Sequence, residues 1–314
     1  MGQESPQAAP QPGGPARTGQ AHAHVLAFLI IVIISTSFPL GEHITHGLDP
    51  AVMMCIRFVL AALLMAPIVA WREGLALPTA RSFLRYLALG APIAFFFWCM
   101  FEALRYTSGL NESAIFTIVP GLSALFGAVL VGERLGLHRL AALGLGMIGA
   151  LWVIFRGDPA RLFDLDVNIG DGIFLAGCFG YAIYSSLIKV LHRGEPILVQ
   201  SFWTMATAGL WLLAASNVKL WRTDWGEVET VVLGGIVYLA VLPTLVTFFL
   251  TQYTTLRLGP TRVQAYGYAL PAIVLLLDLA IGKPAPPLMT VPGLAIVLLA
   301  SFVVQRGAIR EFRP

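Results

Sequence analysis

Long apolar runs broken by short polar segments dominate the chain. Ten such runs are legible: Val25 to Leu40, Val52 to Trp71, Phe83 to Leu104, Ala114 to Val131, Leu137 to Phe155, Gly172 to Leu191, Ile197 to Ala215, Val231 to Tyr253, Val263 to Ile281 and Met289 to Val304. Each can cross a hydrocarbon core of roughly 30 Å once its ends extend into the interfaces. The runs are continuous, whereas membrane barrels alternate apolar and polar positions over segments of roughly ten residues. A continuous span in lipid satisfies its own backbone polar groups only as a helix. The pattern therefore predicts an all-α integral membrane protein of ten transmembrane helices. Connections are short apart from Arg156 to Asp171 and Ser216 to Thr230, so function must sit within the bundle.

Ahead of the first run, residues 1–23 are rich in Pro, Gln, Gly and Ala and bury too little apolar area to fold, which predicts a disordered tail. The first run lies far from the start and no A-x-A site closes it, so it reads as a retained helix rather than a cleaved signal. Composition supports the same class: 57% of residues are hydrophobic and 12% charged, against roughly 25% charged in soluble domains. Mean hydropathy is +0.79. The net charge of +3 is small and dispersed, which excludes nucleic acid as a partner and leaves a small-molecule solute and the lipid bilayer. Cys55, Cys99 and Cys178 lie inside apolar runs without metal or redox spacing and read as packing residues.

Lys and Arg near helix ends set orientation. Thirteen fall on the side holding Arg72, Arg85, Lys189 and Arg257, and six on the side holding Arg105, Lys219 and Lys283, with Arg57 inside a helix. Both termini are therefore expected in the cytoplasm.

Two segments echo one another. GLNESAIFTIVPGLSALF from Gly109 and GPTRVQAYGYALPAIVLLL from Gly259 each place a turn glycine before an apolar helix broken by proline, at Pro120 and Pro271, and reach Gly132-Glu133 and Gly282-Lys283 at nearly equal distance. This matches a fourth helix with a ninth. A repeat of five helices is odd in number, so its second copy enters the membrane inverted, a recurring plan of secondary transporters.

With Arg57-Phe58, IVPGLSALFGAVLVGERL from Ile118, GDGIFLAGCFGYAIYSSLIK from Gly170 and ALPAIVLLLDLAIGK from Ala269, the chain resembles the drug/metabolite transporter superfamily, in particular its EamA-like exporters. The resemblance implies two inverted five-helix EamA repeats at 24–155 and 171–305, an outer loop at 156–170 and a cytoplasmic tail at 306–314. It also implies secondary-active export of amino acids or related small metabolites across a bacterial-type inner membrane, without cofactor or ATP. Other branches of the superfamily import or exchange nucleotide-like or phosphorylated anions, which is the alternative. One departure is Gly282-Lys283, where this family often has Gly-Glu.

Ionisable groups inside spans are functional candidates. Glu42, Arg57, Glu102, Arg105, Glu112 and Asp278 all fall toward the outer ends of their helices, Arg57 about 9 Å into the second. They suggest an outer gate in which Glu42, Glu102 or Glu112 neutralises Arg57 in one state; snorkelling and static ion pairs, such as Glu102 with Arg105, account for the same charges. Arg57 has no acid at helical spacing, so its partner is another helix or an anionic ligand. Polar and aromatic candidates for the pocket are Trp98, Thr117, Ser123, Tyr181, Tyr184, Trp203, Thr244, Thr247 and Tyr268, with Gln252 and Gln264 nearer the cytoplasmic end. Gly144, Gly146 and Gly149 permit close helix contact, and Gly132 with Gly136 gives a GxxxG match that allows a homodimer.

His43 and His46 lack a third ligand for a metal site. Ser123 lacks the strand-turn-helix setting of a hydrolase, and no phosphate-cradling loop is present. A membrane enzyme acting on lipid-linked substrates is the remaining competing class, supported only by the outer acids; the chain is expected not to be an enzyme.

Overall fold

The structure, a computed structural model, describes residues 15–132, 136–154, 168–285 and 288–310, and these are helical without strands. Glu133, Arg134, most of the acid-rich loop after Ile154 and the extreme tails lie outside the described residues. Among those described, eight helical segments are long and apolar enough to span a membrane: His22–Ile44, Pro50–Arg72, Ala80–Ala103, Gly109–Val131, Ile169–Leu191, Ile197–Arg222, Thr230–Leu258 and Pro260–Ala280. The fifth and tenth apolar runs fall on two further helices, Leu137–Ile154 and Val291–Arg310, which pack along one another.

In chain order the α-helices are α1 (Pro15–Ser35), α2 (Ser37–Ile44), α3 (Pro50–Arg72), α4 (Ala80–Ala103), α5 (Gly109–Ile115), α6 (Val119–Phe126), α7 (Leu137–Ile154), α8 (Ile169–Leu191), α9 (Ile197–Arg222), α10 (Thr230–Ala240), α11 (Thr247–Leu258), α12 (Pro260–Gln264), α13 (Leu270–Ala280) and α14 (Val291–Arg310). α1 begins inside the stretch expected to be a tail. Proline suits the first helical position, and the Ala, Arg and Gln that follow are good helix formers, a local signal that hydropathy does not register.

Helix starts carry side-chain caps. Asp49 accepts from Ala51 N at 2.9 Å, Ser108 accepts from Asn111 N at 3.2 Å, and Asn168 and Asp171 form a reciprocal capping box. These polar turns gather at one end of the bundle. There Lys219 meets Asp49 at 2.8 Å, Lys283 meets Glu42 at 2.9 Å and Thr107 donates to Asp171 at 2.8 Å. At the opposite end Arg85 reaches Leu191 O at 2.9 Å and Glu195 at 3.5 Å. The α1–α2 segment runs toward the Glu42 end, whereas α8 starts there and runs away from it, so the leading spans of the two halves have opposite senses.

The two echoed segments break alike. Residues Phe116–Ile118 and Ala265–Ala269 tighten into 3-10 turns just before Pro120 and Pro271, because proline cannot donate to the turn before it. Both segments also reach a glycine with left-handed backbone, Gly132 at φ 75° and Gly282 at φ 84°, a conformation that a Cβ disfavours. A wider π turn at Val241–Val246, around Pro243, interrupts the span between α10 and α11.

Glycines set the helix spacing. A Cβ at Gly90 would lie 2.7 Å from Ala208 N of α9, one at Gly180 would lie 2.8 Å from Pro92 O, and one at Gly149 or Gly293 would lie 2.9 Å from the other's carbonyl oxygen. α4 is thus pressed between α8 and α9. Its Phe96, Phe97 and Met100 then enter a continuous buried core with α3, α8 and α11.

Candidate functional site: an aromatic cavity

About halfway along the spans, the core leaves a narrow, partly open pocket with room for about one water in this conformation. α1 and α2 supply Ile34 and Ser37, α4 supplies Ile93, Phe96, Phe97 and Met100, and the 3-10 turn before Pro120 supplies Phe116. Tyr181 and Tyr184 enter from α8, and Pro243, Thr247, Phe248 and Thr251 from the π turn and α11. The rings contact one another: Tyr181 lies 4.6 Å from Phe96 and 5.3 Å from Phe116, and Tyr184 lies 5.9 Å from Phe248. Such a wall offers apolar and quadrupolar contact to a flat or branched solute.

Two hydroxyls in this lining make no hydrogen bond, Ser37 Oγ and Tyr184 Oη. Gln252 is the polar neighbour of Tyr184, outside bonding geometry, and its own Oε1 is unbonded while its Nε2 donates to Thr204 at 3.3 Å. Buried polar atoms are satisfied in most native interiors, so unspent ones beside a cavity are what a solute can engage.

Arg57 stands directly behind this wall and is fully buried. Its Nε donates to Thr244 Oγ1 at 2.6 Å and its Nη2 to Pro243 O at 3.3 Å, and the guanidinium lies 4.4 Å from the centroid of Phe97. Nη1 has only the soft Met54 sulfur at 3.8 Å. The π turn makes this seat: it frees the Pro243 carbonyl, which also accepts from Thr247 Oγ1 at 2.8 Å.

The expected neutralisation of Arg57 by Glu42, Glu102 or Glu112 is absent from this structure. No described carboxylate lies within ion-pair distance of Arg57, because each candidate is held elsewhere or faces another helix. Glu42 accepts from Gly109 N at 2.9 Å and pairs with Lys283. Glu102 accepts from Tyr106 at 3.3 Å and lies 3.9 Å from Arg105. Glu112 is fully buried with neither oxygen bonded.

Of the other residues singled out from sequence, Tyr181, Tyr184 and Thr247 reach the cavity. Thr117 donates to Ala114 O at 2.6 Å within its own helix, and Gln264 donates to Ser185 at 3.1 Å. Tyr268 reaches Leu143 O at 3.3 Å and fills the gap beside Gly146, while Trp98 packs at 6.2 Å from Phe95 on the margin of the core. Sequence reasoning passed over Ser37, Phe96, Phe97 and Phe116 as pocket residues, since nothing in an apolar helix marks which aromatic faces a void. Lys283 as the partner of Glu42 and Asp278, the latter at 3.1 Å, did carry a signal. It is the departure from Gly-Glu.

A helical membrane bundle with interrupted spans around a small, partly open pocket has the architecture of a solute transporter. The sequence profile of the EamA-like transporter family matches residues 22–155 and again 168–306, and the chain belongs to that family. It is 22% identical over 281 residues to an uncharacterized transporter, YyaM, of Bacillus subtilis, covering 88% of this chain and 92% of that one. It is 24% identical over 271 residues to a probable terminal-alkyne amino-acid exporter of Streptantibioticus cattleyicolor, covering 84% and 87%. A protein crystal structure superimposes with a TM-score of 0.72 at 20% identity, covering 92% of this chain and 99% of that one, which shows a shared fold.

Proposed function

We propose that this chain is a secondary-active exporter of amino acids or related small metabolites, working by alternating access across a bacterial-type inner membrane. In this reading all ten helices span, in two inverted sets of five, with both termini cytoplasmic. The observation that carries the substrate class is a permanently charged, fully buried Arg57 with no carboxylate partner among the described residues, behind the wall of an aromatic cavity lined by two residues with unspent hydroxyls. A guanidinium stays charged in proteins and prefers planar carboxylates. An amino acid with a hydrophobic or aromatic side chain supplies both the missing counter-ion and the apolar body. Phe97 covers Arg57 in this conformation, so loading requires that ring to move. The amino-acid exporter among the relatives agrees with this chemistry.

Arg57 alone equally suits a phosphorylated anion, but the cavity lining is almost wholly apolar, which favours the amino acid. Purified protein in liposomes loaded with a panel of labelled amino acids tests the reading. Movement of aromatic or branched amino acids, unchanged chemically, is the expected result. Conversion of the solute, or selective movement of phosphorylated compounds, overturns it.

A further inference from the structure

Glu112 does not line the cavity and is, among the described residues, a fully buried carboxylate with neither oxygen bonded. It lies in the first turn of α5. The carboxylates around it are engaged: Glu42 by Lys283 and Gly109 N, Asp278 by Lys283, and Asp171 by Thr107 and Asn168. Lys283 is taken up by Glu42 and Asp278.

Among the described residues, the elements around Glu112 bring acids, thiols and one lysine. α2 brings Glu42, α8 brings Asp171 and Cys178, α4 brings Cys99, and α13 with its following turn brings Asp278 and Lys283. α7, which also packs on α5, offers none at this end. Among the described residues no donor or cation meets Glu112, and a charged carboxylate so placed is costly by several kcal/mol, whereas the neutral acid is tolerated. The site therefore accommodates Glu112 only with its proton in this conformation.

Position links this proton to the cavity. One turn further along the same span lies Phe116, in the cavity wall. On the other side Gly109 brings the start of α5 against Phe38 and Glu42, which is about a third exposed and opens to water. We propose that Glu112 is a proton-carrying site coupling solute export to proton entry. Its carboxylate takes a proton from water on the Glu42 side, forming the carboxylic acid. It returns that proton to water on the opposite side once rocking of the halves opens the site there, and no other bond changes.

This inference rests on the transport reading, so its test has an arm independent of any substrate. Wild type, Glu112→Gln and Glu112→Asp are reconstituted in liposomes, and uptake of labelled L-phenylalanine is driven by an imposed pH gradient. The expected result is gradient-driven uptake in wild type, its loss in Glu112→Gln and its recovery in Glu112→Asp, with melting curves showing that all three fold. In parallel, infrared difference spectra between acid and alkaline pH should show a protonated-carboxyl stretch that Glu112→Gln removes. Undiminished gradient-driven uptake in Glu112→Gln, or an unchanged carboxyl band, overturns the proposal. Absence of any phenylalanine movement in wild type overturns the amino-acid reading instead, and the infrared arm then decides the proton site.

Discussion

At the scale of single residues, the buried charges separate into three kinds. Arg57 is held by neutral acceptors and rings, Glu42 by a cation and a backbone N–H, and Glu112 by no described residue. Replacing Arg57 with Gln should therefore weaken phenylalanine binding by about 100-fold, on the scale of a few kcal/mol for a desolvated charged contact. Arg57→Lys should recover only part of it, since a point charge cannot make the bidentate contact. Tryptophan-quenching titrations of the purified variants, with phenethylamine as the analogue lacking the carboxylate, measure this. Arg57→Gln should bind the amine no worse than wild type does. Lys283 belongs to the second kind. Partial burial pulls its ammonium down, but hydrogen bonds and charge from Glu42 and Asp278 outweigh this and hold it above the ordinary value of 10.5. The pairing is therefore fully present below that value and is lost only as pH rises through the raised one, so this tie between the first and ninth spans should not loosen anywhere in the neutral range. A cysteine placed at His43 should show constant labelling by a small methanethiosulfonate between mildly acidic and mildly alkaline pH in wild type, and faster labelling with Lys283→Ala.

At the scale of elements, glycine contacts decide how closely the spans approach. Gly90→Val should lower the melting temperature in detergent, at a cost of about 2 kcal/mol or more, because its Cβ meets the α9 backbone and not a movable side-chain tip. Gly144→Val, where nothing lies within 4 Å, is the matched control and should leave melting unchanged. The same contrast explains what was legible in the sequence. Apolar runs, the prolines at 120 and 271 and the glycines at 132 and 282 are local signals, and the spans, 3-10 breaks and left-handed turns follow them. The start of α1 at Pro15 escaped because hydropathy ignores helix propensity. The π turn at Pro243 gave no more signal than any other intramembrane proline, yet it seats Arg57. The cavity was half legible: tyrosines 181 and 184 stood out as polar aromatics, while Phe96, Phe97 and Phe116 are indistinguishable from packing rings until the helices are assembled. Partner choice was not legible either. Glu42 and Lys283 are distant in sequence and meet only because the first and ninth spans end side by side.

At the scale of the whole molecule, the charge distribution sets which end of the bundle faces the cytoplasm. The two ends of the bundle differ: α1 begins and α14 finishes at the end that holds the α3–α4 connection, whereas Glu42, Lys219 and Lys283 crowd the other. Because basic residues favour the first end by thirteen to six, that end is expected in the cytoplasm. Leu77 in the α3–α4 connection is 87% exposed, and Glu227 in the α9–α10 connection is exposed at the opposite end. The three native cysteines are buried, which leaves single cysteines at these positions as the accessible thiols. In intact cells a membrane-impermeant maleimide should label Glu227→Cys and should label Leu77→Cys only after permeabilisation. The opposite pattern would place the Glu42 end inside. The carboxylate cluster beside Glu112 would then open to the cytoplasm and release the proton there instead of loading it from outside, while an inward proton gradient would still drive solute outward.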